Sequence, residues 1–238
     1  MKFIVPAILP SSYHDLKEKL VFLDHIPPRR VQIDVVDGEL AWPPSWPYLA
    51  GTELHNLVKE GESLPHLDRI EYEADLMCKD PEAIATDLVN FGVTRLTLHV
   101  EAMGDIKTML DRMRRTYSAE ANFSLYLFSM GLAINVETDA SVLDPFVDEL
   151  EYVQFMGIDK IGAQGQPFNP KVIEKVREFR RKHPKIIIQI DGGVSLENAR
   201  QLVEAGASRF IVGSALLNSV DVVSTFKQFE ALQNPYGE

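Results

Sequence analysis

Short apolar runs alternate along the chain with longer stretches of helical period. Eight runs read as strands: Phe3 to Leu9, Val31 to Val36, Ile70 to Met77, Arg95 to Val100, one within Ser124 to Asn135, Tyr152 to Ile158, Ile186 to Asp191, and Arg209 to Gly213. Strands separated by helical segments mark repeated βα units around a parallel sheet. Units of roughly 30 residues predict an α/β fold of the (β/α)8 TIM-barrel type, which takes about 250 residues. A chain of 238 residues fits one such domain over residues 1–238. Helix punctuation agrees. Asp80-Pro81-Glu82 supplies a cap, an N1 proline and an acidic first turn for a helix from Ala83 to Phe91 that Gly92 ends, and Ser195 and Gly206 bracket another. Glu39 to Gly51 is too proline-rich for a helix or central strand and reads as a long loop at the sheet's active end. Its aromatic residues either roof a pocket or plug the barrel rim.

Two apolar runs end in an aspartate with glycine close behind: Asp34 in Gln32-Ile33-Asp34-Val35-Val36-Asp37-Gly38 and Asp191 in Ile190-Asp191-Gly192-Gly193. The C-terminal ends of strands are where α/β folds hold their chemistry. Two carboxylates from distant strands are suited to moving a proton on either side of one substrate carbon, as an epimerase does. The bland alternative is that each aspartate only caps a turn. Gly192, Gly193, Gly213 and Ser214 follow strands seven and eight, where backbone N–H groups are placed to approach a substrate phosphate; otherwise they are tight turns that no ligand visits.

Charge narrows the partners. The net charge of -11, with basic residues clustered no further than Arg29-Arg30, Arg114-Arg115 and Arg180-Arg181-Lys182, argues against nucleic acid and anionic membranes. Cys78 is the only cysteine, which excludes an intrachain disulfide and a cysteine-based metal cluster and fits a reducing, cytoplasmic setting. No leader or membrane-length apolar segment is expected.

Pro6-Ala7-Ile8-Leu9, Ile33-Asp34-Val35-Val36-Asp37-Gly38, Asp75-Leu76-Met77, Leu98-His99-Val100-Glu101-Ala102, Ile190-Asp191-Gly192-Gly193 and Gly213-Ser214-Ala215 fall in the order and spacing of ribulose-phosphate 3-epimerase. The chain resembles that family over nearly its whole length. The resemblance implies a barrel of the ribulose-phosphate-binding type, an isomerase of carbohydrate metabolism acting on a small phosphorylated sugar through an enediolate. It makes Asp34 and Asp191 the catalytic acids, and Met77, Asn135 and Met156 match pocket positions, although methionines there are more often core filling.

The family's two histidine metal ligands correspond here to Gln32 and Asp75. The oxygen set of Asp34, Asp75, Asp191 and the Gln32 carbonyl suits Mg²⁺, Mn²⁺ or Ca²⁺ better than Zn²⁺, and a site with no metal is the competing expectation. Three converging carboxylates call for some positive partner. Lys160 is a candidate, able to steady an enediolate oxygen, or is an ordinary loop charge. His99, beside Glu101, is an acid/base candidate or a hydrogen-bonded barrel residue. Two family serines are Ala7 and Pro10 here, and the loop Ile161-Gly162-Ala163-Gln164-Gly165-Gln166-Pro167-Phe168 is one residue longer than its counterpart. These departures keep open a noncatalytic or regulatory sugar-phosphate-binding barrel. A lyase fits less well, because Glu73-Ala74-Asp75 lacks the lysine of that group's aspartate-x-lysine pair. The chain is a candidate homo-oligomer.

Overall fold

The computed structural model describes residues 4–102, 104–119, 128–232 and 235–236. Eight strands close a parallel barrel in chain order: β1 Ile4–Ile8, β2 Arg30–Val36, β3 Glu71–Met77, β4 Val93–His99, β5 Ser129–Ile134, β6 Tyr152–Met156, β7 Ile187–Asp191 and β8 Arg209–Val212. All eight expected runs are strands, the ends of the first and fifth expectations (residue 3 and residues 124–127) lying outside the described residues. The helices are α1 Tyr13–Leu23, α2 Glu53–Lys59, α3 Glu82–Asn90, α4 Ile106–Ala119, α5 Lys171–Lys182, α6 Leu196–Ala205, α7 Ser214–Leu217 and α8 Val222–Glu230. Between β5 and β6 the crossover is a 3-10 segment, Ala140–Glu149, with Pro145 inside it; proline lacks the N–H that an α-helix needs there. No helix among the described residues is long and apolar enough to cross a membrane.

The expected helix signals hold with one change. Ser195 caps α6 in a capping box with Asn198, and Gly206 ends it in the left-handed region. At α3 the cap position falls on Pro81, with no side-chain cap bond, so Asp80 does not serve as the expected cap.

Strand side chains alternate between two environments. Ile33, Val35, Ala74, Leu76, Leu96, Leu98, Leu132, Ile134, Phe155, Ile188 and Ile190 point outward and join the main core beneath the helices. The inward face is mostly polar. Gln32, Asp34, Glu73, Asp75, Arg95, Thr97, His99, Gln154, Gln189, Asp191 and Arg209 are all buried, and the apolar contribution from β1 and β8 is a small separate cluster of Val5, Ala7 and Ile211. Barrels of this type more often fill the interior with branched aliphatic residues.

At the lower end of the barrel Tyr152 lies across the interior, with the Arg95 guanidinium 4.5 Å and the Arg209 guanidinium 5.6 Å from its ring centroid. Gly131 makes room for it: a Cβ there would stand 2.3 Å from the tyrosine ring. Arg95 Nε also donates to Glu73 at 3.2 Å, and Thr97 Oγ1 donates to Glu73 at 3.1 Å. Burial would raise the Glu73 carboxyl, but Arg95, Arg209 and the Gln189 amide hold it below its ordinary range.

The loop expected over Glu39 to Gly51 contains a short 3-10 turn, Tyr48–Ala50, and cis peptide bonds before Pro43 and Pro47. Of its two tryptophans, Trp46 is the plug, fully buried against Tyr13 and Phe91 with its indole N–H on Glu53 at 2.7 Å. Trp42 is 72% exposed, and no aromatic residue of the loop lines the acid pocket.

Candidate active site

Strand pairing brings the acids together. β2 and β3 pair Asp34 with Asp75, and β6 and β7 pair Met156 with Asp191. One carboxylate oxygen from each of Asp34, Asp75 and Asp191 lies within 4.8 Å of the others. The backbone beside Asp34 is pinned by Ser45, whose hydroxyl donates to the Asp34 carbonyl at 2.9 Å and accepts from the Val36 N–H at 2.9 Å.

Asp34 and Asp191 share one amide. Gln32 Nε2 donates to Asp34 Oδ1 at 2.9 Å and to Asp191 Oδ2 at 2.8 Å. Asp75 lies deeper, fully buried, bonded to His99 Nε2 at 3.0 Å and to Gln154 Nε2 at 2.9 Å. Gln154 Nε2 also reaches Asp191 Oδ2 at 3.4 Å. Burial first, and the neighbouring Asp75 second, push Asp34 up to about 7 against the donors Gln32 and Gln164. Asp191 is raised well above the carboxylate range by burial and then by Asp34 and Asp75. Both acids are held toward their neutral forms, and so close together they do not ionise independently.

The positive partner of the cluster is His99. Burial alone would strip its proton, yet Asp75 and Glu101 carry the imidazole up to about 10. Glu101 lies 3.8 Å from His99 Nδ1 and is itself anchored by the Asn135 N–H at 2.7 Å and by the Thr138 hydroxyl. Burial opposes its ionisation, but the His99 contact and the Asn135 N–H bring Glu101 down to about 2. Lys160, the other candidate, is exposed and outside the pocket lining.

Above the acids, one pocket is lined by Asp34, Met77, Met156 and Asp191 together with the turns Gly192-Gly193 and Gly213-Ser214. The expected acids, two of the three expected pocket residues and all four expected phosphate contacts therefore share a cavity. Gly192 and Gly193 take φ of +96° and +67°, a region that favours glycine. Asn135 is elsewhere: it lines a second cavity with Glu137, Thr138, Asp159, Asn169 and Lys171. Asp75 and Gln32 line neither.

Gln164 completes the pocket, and no periodicity could have singled it out. The loop after β6 folds over the mouth, and Gln164 Nε2 donates to the Ala7 carbonyl at 3.1 Å and lies against Gly213, where a Cβ would come within 2.6 Å of it. The free volume that remains beside Gln164 is about 40 Å³, room for a few waters. Gln154, Gln189 and Arg209 were also missed; their signal was the period-2 recurrence of polar residues inside apolar strands.

The spacing of the three acids would span a divalent cation, but the donor set does not fit one. Asp34 Oδ1, Asp191 Oδ2 and both oxygens of Asp75 already take N–H groups, and the Gln32 carbonyl, the expected ligand, faces Gln189 instead at 3.4 Å.

The barrel superposes on solved structures across nearly its full length. The KGPDC of Streptococcus mutans gives a TM-score of 0.66 at 13% identity, covering 97% of this chain and 96% of that one. The 3-hexulose-6-phosphate synthase of Salmonella typhimurium gives 0.64 at 18%, with 96% of each covered. These likenesses establish the fold alone. In sequence, the chain is 26% identical to ribulose-phosphate 3-epimerase of Aquifex aeolicus over 98% of this chain and 97% of that protein. It is 24% identical to the Schizosaccharomyces pombe protein of the same name, over 91% and 87%. Residues 3–217 match the model of the ribulose-phosphate 3 epimerase family, and the chain belongs to that family.

Proposed function

We propose that the protein is a sugar-phosphate epimerase that inverts the carbon beside a ketone, with Asp34 and Asp191 as its two proton-transfer groups. The observation that carries this reading is their convergence on one Gln32 amide at the base of a pocket whose far side is two glycine turns. A phosphate seated on Gly192-Gly193 and Gly213-Ser214 leaves the sugar carbons over the acids. One acid removes the proton next to the carbonyl while the other, still protonated, returns one, a division of labour that opposed protonation states provide. The Gln164 amide, donating to the Ala7 carbonyl and toward Asp34, holds the loop after β6 over the acids.

Family members typically bind a divalent metal. The donors around these acids do not fit one, and no step here is routed through it. Metal identity, where a metal were taken up, follows the oxygen-rich set toward Mg²⁺, Mn²⁺ or Ca²⁺.

The competing reading, a sugar-phosphate-binding barrel without turnover, draws on one observation: Gln164 already fills much of the pocket. Incubation with ribulose 5-phosphate and with hexulose phosphates in D2O separates the two. Deuterium uptake beside the ketone with formation of the epimer is expected. Binding of these esters with no uptake on any of them supports the noncatalytic barrel.

A further inference from the structure

The hydrogen bonds beneath the acids run in one direction. Arg209 Nη1 donates to Gln189 Oε1 at 2.9 Å. A guanidinium has donors only, so the Gln189 amide must turn its oxygen to Arg209 and its NH2 away. That NH2 donates to Glu73 Oε1 at 2.5 Å and to Gln154 Oε1 at 2.7 Å, and lies 3.4 Å from Gln32 Oε1. Gln154 and Gln32 therefore have their oxygens engaged from below and their NH2 groups facing the carboxylates of Asp34, Asp75 and Asp191. Turning either amide over would set NH2 against NH2 at Gln189, and the Arg209 end of the chain cannot reverse.

A cation between the acids would need lone pairs aimed inward. What points inward instead is hydrogen: two N–H groups of Gln32 on Asp34 and Asp191, the Gln154 amide on Asp75, and His99 on Asp75. Gln154, Gln189 and Arg209 are all buried, so water is not at hand to compensate an inverted amide.

We propose that Arg209 and Gln189 lock Gln154 and Gln32 as amide donors, so that N–H groups and His99 hold the acid cluster in the place of a divalent cation. Arg209 and Gln189 are positioning residues in this scheme. They touch no substrate and act only by fixing which atom of the neighbouring amides faces the acids. The inference concerns metal uptake and stands apart from the proposed reaction.

Mn²⁺ binding followed by calorimetry and electron paramagnetic resonance tests it without reference to activity. At free Mn²⁺ of about 1 mM, the weak end of oxygen-ligand sites, the wild-type chain is expected to bind none at the acids. Gln154→Glu keeps the acceptor for Gln189 and replaces the inward NH2 with an oxygen. It is expected to take up one Mn²⁺ per chain, at least tenfold tighter than wild type, and to lose it on adding Asp191→Asn. A second readout is the side-chain amide spectrum of glutamine-labelled wild-type protein. Three slowly exchanging NH2 pairs, of Gln32, Gln154 and Gln189, that stoichiometric Mn²⁺ does not broaden are expected, and Arg209→Lys, which also only donates, retains them. Mn²⁺ bound by wild type and lost in Asp191→Asn overturns the proposal. So does a Gln154→Glu protein that is folded by circular dichroism yet remains metal-free, or broadening of the Gln32 and Gln154 NH2 pairs.

Discussion

Asp34 holds its proton more tightly in the folded chain than in the unfolded one, because burial and Asp75 raise it from 3.8 to about 7. Between those values the folded state binds more protons than the unfolded state, so this group's contribution to stability falls as pH rises through the window. His99 works over a higher range: its contribution is intact below its ordinary value of 6.5 and is lost as pH rises through about 10. Asp34→Asn is therefore expected to be more stable than wild type at pH 8, by about 1–2 kcal/mol, the scale of other substitutions that relieve strained functional sites. Urea denaturation at pH 8 and below pH 4 checks this, with the difference vanishing at the acid end. A variant less stable at pH 8 would mean that the carboxylate, not the neutral acid, is the form the fold favours.

Gln164 is the other residue whose effect has a sign. Its amide packs on Gly213 in the space assigned to phosphate and donates toward Asp34. Gln164→Ala is expected to bind inorganic phosphate several-fold more tightly while lowering the rate of exchange on a sugar phosphate, and to move the acid limb of the pH profile upward as Asp34 loses a donor. Weaker phosphate binding would show that Gln164 holds the anion rather than occupying its place.

Among the elements, β5 and β6 are joined by a side-chain fit as well as by hydrogen bonds. Gly131 pairs with Tyr152 in register, and its missing Cβ is what lets the tyrosine ring lie between two guanidiniums. Gly131→Ala is expected to cost about 1–3 kcal/mol as an overpacked site, read as a lower urea midpoint, whereas Gly61→Ala in open surface space costs only the strain of its left-handed backbone. Elements were also the most legible level of the sequence. Outward-facing residues such as Ile33, Val35, Leu96 and Leu98 form apolar runs, and glycine or capping residues bound them. The inward residues were legible only at strand ends. Asp34 and Asp191 stand where barrel chemistry is expected, but Gln154, Gln189 and Arg209 look like ordinary polar strand residues until closure brings them together. Asn135 lies apart from the acids because the end of β5 opens on a neighbouring cavity. Gln164 sits in a loop, whose conformation has no period to read.

At the scale of the molecule, the barrel is a polar-lined tube inside an apolar jacket. Its interior layers run from a charged floor of Glu73, Arg95 and Arg209, through a glutamine tier of Gln32, Gln154 and Gln189, to acids at the mouth. Closure of all eight strands is what converts residues more than a hundred positions apart, such as Gln32 and Asp191, into neighbours. The proposed pair of proton-transfer groups acting on one carbon makes a specific demand on isotope exchange, because each group should serve one epimer. The decisive measurement is label washout from ribulose 5-phosphate and from its 3-epimer, each deuterated at the epimerised carbon, in Asp34→Asn and in Asp191→Asn. Each variant is expected to lose washout of a different epimer by about 10²–10⁴-fold and to lose net epimerisation. Loss of the same epimer's washout in both variants, or washout of both epimers at wild-type rates, would contradict two-acid chemistry.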